Sequence, residues 1–212
     1  MLSIITLEVT PFMQNARILS CSKTGSTVIV DPGGEAHKIL SELRARGLTC
    51  SQIWLTHSHL DHCGAVLPLI EELGVPLVAH PAEAAMRSRV RAIAQMYGLS
   101  AGDWFDCPEP TVQVQGGEEL ALGELRAEVL FTPGHSPGHV SFYFRGEKVL
   151  ISGDNLFAGS IGRSDLPGGD HDTLIASIRD RILSLEDDVR VLSGHGEDTT
   201  VGAERNTNPF LA

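Results

Sequence analysis

Short apolar runs, each closed by glycine or proline, alternate with amphipathic stretches along the chain and predict strands followed by helices. Residues 3–9, 17–21 and 27–30 read as strands, the last running into the turn Asp31-Pro32-Gly33-Gly34. Residues 35–46 carry apolar positions at helical spacing and stop at Gly47. The run Gln52-Ile53-Trp54-Leu55 predicts a buried strand, and 63–73 a helix ended by Gly74. Residues 75–80 return as a strand, and Pro81 opens an alanine-rich helix to Tyr97. Periodicity is lost from 98 to 110, which reads as a long loop, either a wall of a substrate pocket or a packed connector.

The second half repeats the rhythm. Strands are expected near 112–114, 119–121, 126–131, 139–144 and 148–152, with Arg145-Gly146-Glu147 as a hairpin turn. A glycine-rich loop at 158–170 precedes a helix at 173–185, a strand at 189–192 and a short helix near 198–205. Two runs of strands, each followed by helices, predict an α/β fold: two sheets packed face to face with helices outside, in a single domain over 1–212.

The junction after Leu55 carries the densest chemistry. Thr56-His57-Ser58-His59-Leu60-Asp61-His62 places three imidazoles and a carboxylate in seven residues. In extended chain His57 and His59 point to one side, because side chains alternate with period two. Asp61 and His62 follow where the chain turns into a helix and aim at a neighbouring point, so two adjacent metal positions are expected. Burying three histidines separately would require several unrelated hydrogen-bond partners, and a shared metal role accounts for them together.

Three further places repeat one pattern, an apolar strand, a glycine and then a ligand-type residue. They are Gly134-His135 after 126–131, Gly153-Asp154 after Val149-Leu150-Ile151, and Gly194-His195 after Val189 to Leu192. Glycine beside a ligand lets the backbone pass close to a metal pocket. Together with the central motif this makes five histidines and two aspartates, enough for two metals if one carboxylate bridges. His139 reads as a supporting or structural residue, and His37, His80 and His171 as surface or turn residues.

Composition narrows the function classes. With 27 acidic and 16 basic residues the net charge is −11, which argues against a nucleic-acid surface. No apolar run approaches the ~20 residues of a membrane span. The start, Met1 to Glu8, has no basic region and so does not read as a signal peptide, which makes cytoplasm the expected location. Cys21, Cys50, Cys63 and Cys107 show no CxxC pairing and are expected to be reduced.

These motifs resemble, in the same order, those of metallo-β-lactamase-fold hydrolases, and the likeness covers essentially the whole chain. Gly162-Arg163-Ser164-Asp165 and Glu204-Arg205-x-x-Asn208-Pro209 are similar to the branch of the type II glyoxalases, or hydroxyacylglutathione hydrolases. The resemblance implies a four-layer αββα sandwich with one metal on His57, His59 and His135, and a second on Asp61, His62 and His195. Asp154 would bridge, and Asp31 would support the site from behind. The metals implied are two divalent ions, zinc first, with iron or manganese also accepted by such ligands. The implied reaction is attack of a metal-bridged hydroxide, oriented by Asp61, on a small-molecule thioester such as S-D-lactoylglutathione. Arg163 and Arg205 are candidate anchors for a substrate carboxylate; Arg163 reads more readily as a loop-holding residue.

An aspartate at 154, where zinc β-lactamases tend to use a cysteine, argues against antibiotic hydrolysis. Longer glyoxalases append a helical glutathione-binding segment that this chain is expected to lack, as do the shorter glyoxalase-like proteins. The same motifs are shared with mononuclear-iron persulfide dioxygenases, although Gly194-His195-Gly196-Glu197 favours the hydrolase. Lactone and other ester hydrolases of this fold are further alternatives.

Overall fold

A computed structural model describes residues 1–100 and 102–211; Ala101, within the expected loop 98–110, and Ala212 lie outside the described residues. The chain forms two compact units, one of residues 1–114 with 122–125, the other of 115–121 with the chain from 126 onward.

The first unit is built on a mixed six-stranded sheet. Its elements run β1 (Leu2–Val9), β2 (Gln14–Cys21), β3 (Ser26–Val30), α1 (Ala36–Arg46), β4 (Thr49–Trp54), α2 (Leu60–Cys63), α3 (Val66–Leu73), β5 (Leu77–Ala79), α4 (Ala84–Arg87), α5 (Val90–Met96) and β6 (Val112–Gln113). Spatial order follows sequence order: β1 to β3 pair antiparallel, and β3 to β6 parallel. Ile39 and Leu43 of α1 and Val66 and Leu69 of α3 share one buried cluster with Ile18, Ile29 and Ile53 of the sheet. Burying each such side chain stabilises the fold by about 1.5–3 kcal/mol.

The second unit holds β7 (Glu119–Leu122), β8 (Leu125–Phe131), β9 (Val140–Phe144), β10 (Val149–Gly153), β11 (Leu156–Phe157), β12 (Ser160–Ile161), α6 (His171–Ser177), β13 (Arg190–Ser193), β14 (Thr199–Thr200) and α7 (Val201–Thr207). Its six-stranded sheet has the order β14-β13-β10-β9-β8-β7, and β11 and β12 form a separate hairpin. Leu174, Ile178 and Ile182 pack with Leu150, Val191 and Val201 in its core.

Three expected helices differ, the first two for a tertiary reason and the third for a local one. The helix predicted from 81 to 97 is a 3-10 turn at Pro81–Glu83 followed by α4 and α5. In an unbroken helix the Arg91 N–H would donate to the Arg87 carbonyl. Here Asp106 Oδ1 accepts from Arg91 N (2.9 Å). Cys107 N donates to Arg87 O (2.9 Å), so the following loop has captured both groups. The helix predicted at 63–73 divides at Gly64-Ala65, because the Ala65 N–H donates to Pro32 O (3.0 Å) in the turn after β3. The helix expected at 173–185 starts earlier, where Asp170 Oδ1 caps Thr173 N, and runs from α6 into a π-helical turn at Ile178–Ile182.

Gly33 lies so close to α2 that a Cβ built on it would stand 1.4 Å from the Asp61 carbonyl oxygen. Gly47, at φ 62°, has open space around it. Gly47→Ala is therefore expected to cost only the left-handed strain of about 1–2 kcal/mol. Gly33→Ala must displace backbone and is expected to cost more than about 3 kcal/mol, as read by chemical denaturation of both variants.

Candidate metal centre

In the first unit β3 and β4 run parallel, so Asp31 and the segment Thr56–His62 emerge at the same sheet edge. Asp31 is buried at a left-handed φ of 50°. Its Oδ1 accepts from Thr56 N (2.7 Å). Its Oδ2 accepts from Thr56 Oγ1 (2.7 Å) and faces His62 Nδ1 (3.1 Å).

These contacts decide tautomers. An ionised carboxylate only accepts, so His62 carries its proton on Nδ1 and presents a lone pair at Nε2. Thr56 gives its hydroxyl proton to Asp31, so its oxygen accepts from His57 Nδ1 at 3.1 Å. His57 likewise presents a lone pair at Nε2, 3.1 Å from His59 Nδ1. The His57 and His62 rings lie 4.0 Å apart between centroids, and Asp61 Oδ2 is 4.0 Å from His62 Nε2. Three imidazoles and a carboxylate that face one another in this way form a donor set suited to a cation.

Two residues to which the sequence assigns no role hold this arrangement. Thr56 links Asp31 to His57. Glu83, 1% exposed, accepts the Ser58 N–H at 2.9 Å and pins the backbone between His57 and His59. Glu83 had no legible signal, because it lies 25 residues beyond Ser58 in an alanine-rich stretch.

The second unit brings its own three residues to one edge. β8 and β10 each pair antiparallel with β9, and β10 pairs parallel with β13. β8, β10 and β13 therefore point the same way and deliver His135, Asp154 and His195 from their C-terminal ends. Asp154 Oδ2 lies 3.7 Å from His135 Nε2 and 3.4 Å from His195 Nε2. His135 Nδ1 donates to the Arg163 carbonyl (2.7 Å), which fixes the lone pair at Nε2.

His139 is fully buried, and its Nε2 accepts the Asp154 backbone N–H (3.1 Å). Its Nδ1 therefore carries the proton and lies 3.0 Å from Thr132 Oγ1. It orients the loop that carries Asp154. His80 is buried too, its Nδ1 accepting from Ala82 N at the start of the Pro81 turn.

The arginines are engaged locally. Arg163 makes a two-pronged pair with Asp165 (2.8 and 2.7 Å), and this hydrogen bonding lowers the Asp165 carboxyl to about 2. Arg205 donates to the carbonyls of Leu183 (2.5 Å) and Leu185 (2.7 Å) and pairs with Asp187. All four cysteines are free and buried, and burial raises Cys50 to about 11.

A family model for the metallo-β-lactamase superfamily matches residues 9–195. The chain belongs to this superfamily and is a metallo-hydrolase of it, with the two mixed sheets and helices of that fold. Hydroxyacylglutathione hydrolase GloC of Haemophilus influenzae is 39% identical over 99% of this chain and 98% of its own length. A solved structure described as BLEG-1 B3 metallo-beta-lactamase is 37% identical, with a TM-score of 0.91 over 99% of this chain and 100% of that one. TTHA1623, solved in a di-iron-bound form, is 40% identical with a TM-score of 0.89 over 98% of this chain and 100% of that one. Among the described residues no helix is long and apolar enough to cross a membrane.

Asp31→Asn places an amide N–H₂ where a donor now arrives and releases the His62 and His57 tautomers. Metal affinity is expected to fall about 10–100-fold, read by competition with a chromogenic chelator, with the far-ultraviolet circular dichroism unchanged.

Proposed function

We propose that the protein is a dinuclear thioesterase of the hydroxyacylglutathione hydrolase type. The reading is carried by one observation: Asp31, Thr56 and the Arg163 carbonyl hold Nδ1 of His62, His57 and His135 so that each Nε2 is left as a lone-pair donor. It is supported by the 39% likeness to GloC along the whole chain. Following the family pattern, His57, His59 and His135 would hold one ion, and Asp61, His62 and His195 the other, with Asp154 shared. Zinc is the expected metal, and the likeness to a di-iron protein makes iron a second candidate. When bound, such ions supply water of lowered pKa and polarise a carbonyl.

The chain's own groups do the rest. Asp61, partly exposed, accepts a hydrogen bond from the attacking water and so orients its lone pair toward the thioester carbonyl. Asp31 and Thr56 keep the His62 and His57 rings from rotating and hold their protons on Nδ1. The departing thiolate is a good leaving group, so no side chain need act as a strong acid. Arg163 and Arg205 pair with Asp165 and with the Leu183 and Leu185 carbonyls, and so serve the loops that carry them. The four free thiols fit a reducing cytoplasm.

A second reading, β-lactam hydrolysis, is favoured by the 37% likeness to BLEG-1. Metal-replete protein is expected to bind two ions per chain and to cleave S-D-lactoylglutathione, followed by loss of thioester absorbance. His57→Ala is expected to lose more than the about 100-fold typical of a supporting residue. A fully loaded protein that leaves the thioester intact rejects the thioesterase, and turnover of a chromogenic cephalosporin instead establishes the second reading.

A further inference from the structure

We propose that Glu204 of α7 and Asn208, which caps the end of that helix four residues on, are positioning residues for the metal ligands of the second unit, acting through the β11–β12 hairpin. The inference rests on the metal-centre reading above. Both side chains are 3% exposed although their neighbours Arg205, Asn206 and Thr207 are exposed, so the pair faces inward from the helix. A buried carboxylate is retained only when its oxygens are satisfied, and those of Glu204 are. Oε2 accepts from Gly159 N (2.9 Å) and Asn208 Nδ2 (2.8 Å), and Oε1 accepts from Thr199 Oγ1 (2.6 Å). Asn208 Nδ2 also donates to Ser160 O (3.0 Å).

The pair therefore grips adjacent residues at the hairpin turn, Gly159 by its N–H and Ser160 by its carbonyl.

The gripped segment touches all three ligands. On its first strand the Phe157 ring packs edge-on against His195, with centroids 6.2 Å apart. After its second strand comes Gly162, where a Cβ would stand 1.8 Å from Asp154 O and 3.2 Å from His135 Nδ1. The Arg163 carbonyl then accepts from His135 Nδ1 (2.7 Å). Displacing the turn would release the His135 tautomer, the wall behind His195 and the spacing beside Asp154 at once.

The test uses cobalt(II) as the probe, with affinity from chelator competition, the visible ligand-field spectrum of the loaded protein, and the thermal midpoint. Glu204→Ala and Asn208→Ala are expected to weaken cobalt binding about 10–100-fold and to change the visible bands. Glu204→Gln retains an acceptor for Gly159 N and is expected to restore affinity and spectrum. Val201→Ala, on the same helix but in the apolar core, is expected to lower the midpoint while leaving both cobalt readouts as in the wild type. Wild-type affinity and spectrum in both alanine variants would overturn the proposal. So would a loss of affinity in Val201→Ala that tracks its lost stability, because the effect would then be general loosening. Failure of the wild-type protein to bind cobalt would remove the metal-centre reading, and this inference with it.

Discussion

The Asp31 carboxylate receives three donors in a buried place: the Thr56 amide, the Thr56 hydroxyl and the His62 ring. Each bond is local, but together they decide where protons sit on two imidazoles. An imidazole offers a metal one lone pair only when its other nitrogen holds the proton, so the donor set depends on this one acceptor. Its strained φ of 50° is the cost of aiming the carboxylate inward from the end of β3. The arrangement persists because Gly33 lets the following turn close against α2, with Pro32 O accepting the Ala65 N–H.

The second unit solves the same problem with strand direction. His135, Asp154 and His195 are separated by as many as 60 residues, yet each follows a strand whose C-terminal end lies at one edge. Glycines before each of them let the chain leave the strand sharply. Gly153 at φ 57° sits where the β10–β13 register shifts, so Asp154 leaves the ladder at a bulge. The β11–β12 hairpin, with Gly162 and Arg163 after it, then lies against all three residues.

Membership of the metallo-β-lactamase superfamily follows from a family match over residues 9–195 and from the sheets themselves. The substrate is a separate question, because relatives named for different reactions resemble this chain to a similar degree. GloC and BLEG-1 resemble this chain almost equally, at 39% and 37% identity.

Much of this was legible in the chain. The strands at 126–131 and 189–192 and the helix stops at Gly47 and Gly74 follow from apolar spacing and from glycine's freedom at positive φ, which are local properties. The ligand-type residues were legible because a His-x-His-x-Asp-His run has few other uses. The helix breaks at Gly64-Ala65 and at Ser88-Arg89 were not, because the groups that compete for the helical hydrogen bonds, Pro32 O and Asp106 Oδ1, come from remote segments. Nor were the roles of Thr56, Glu83, Glu204 and Asn208, or the engagement of Arg205 by the Leu183 and Leu185 carbonyls. Sequence by itself determined which side chains could bind a metal and which strands would carry them. Only the tertiary structure decided which nitrogen of each histidine holds the proton, because that depends on an acceptor brought in from another part of the chain.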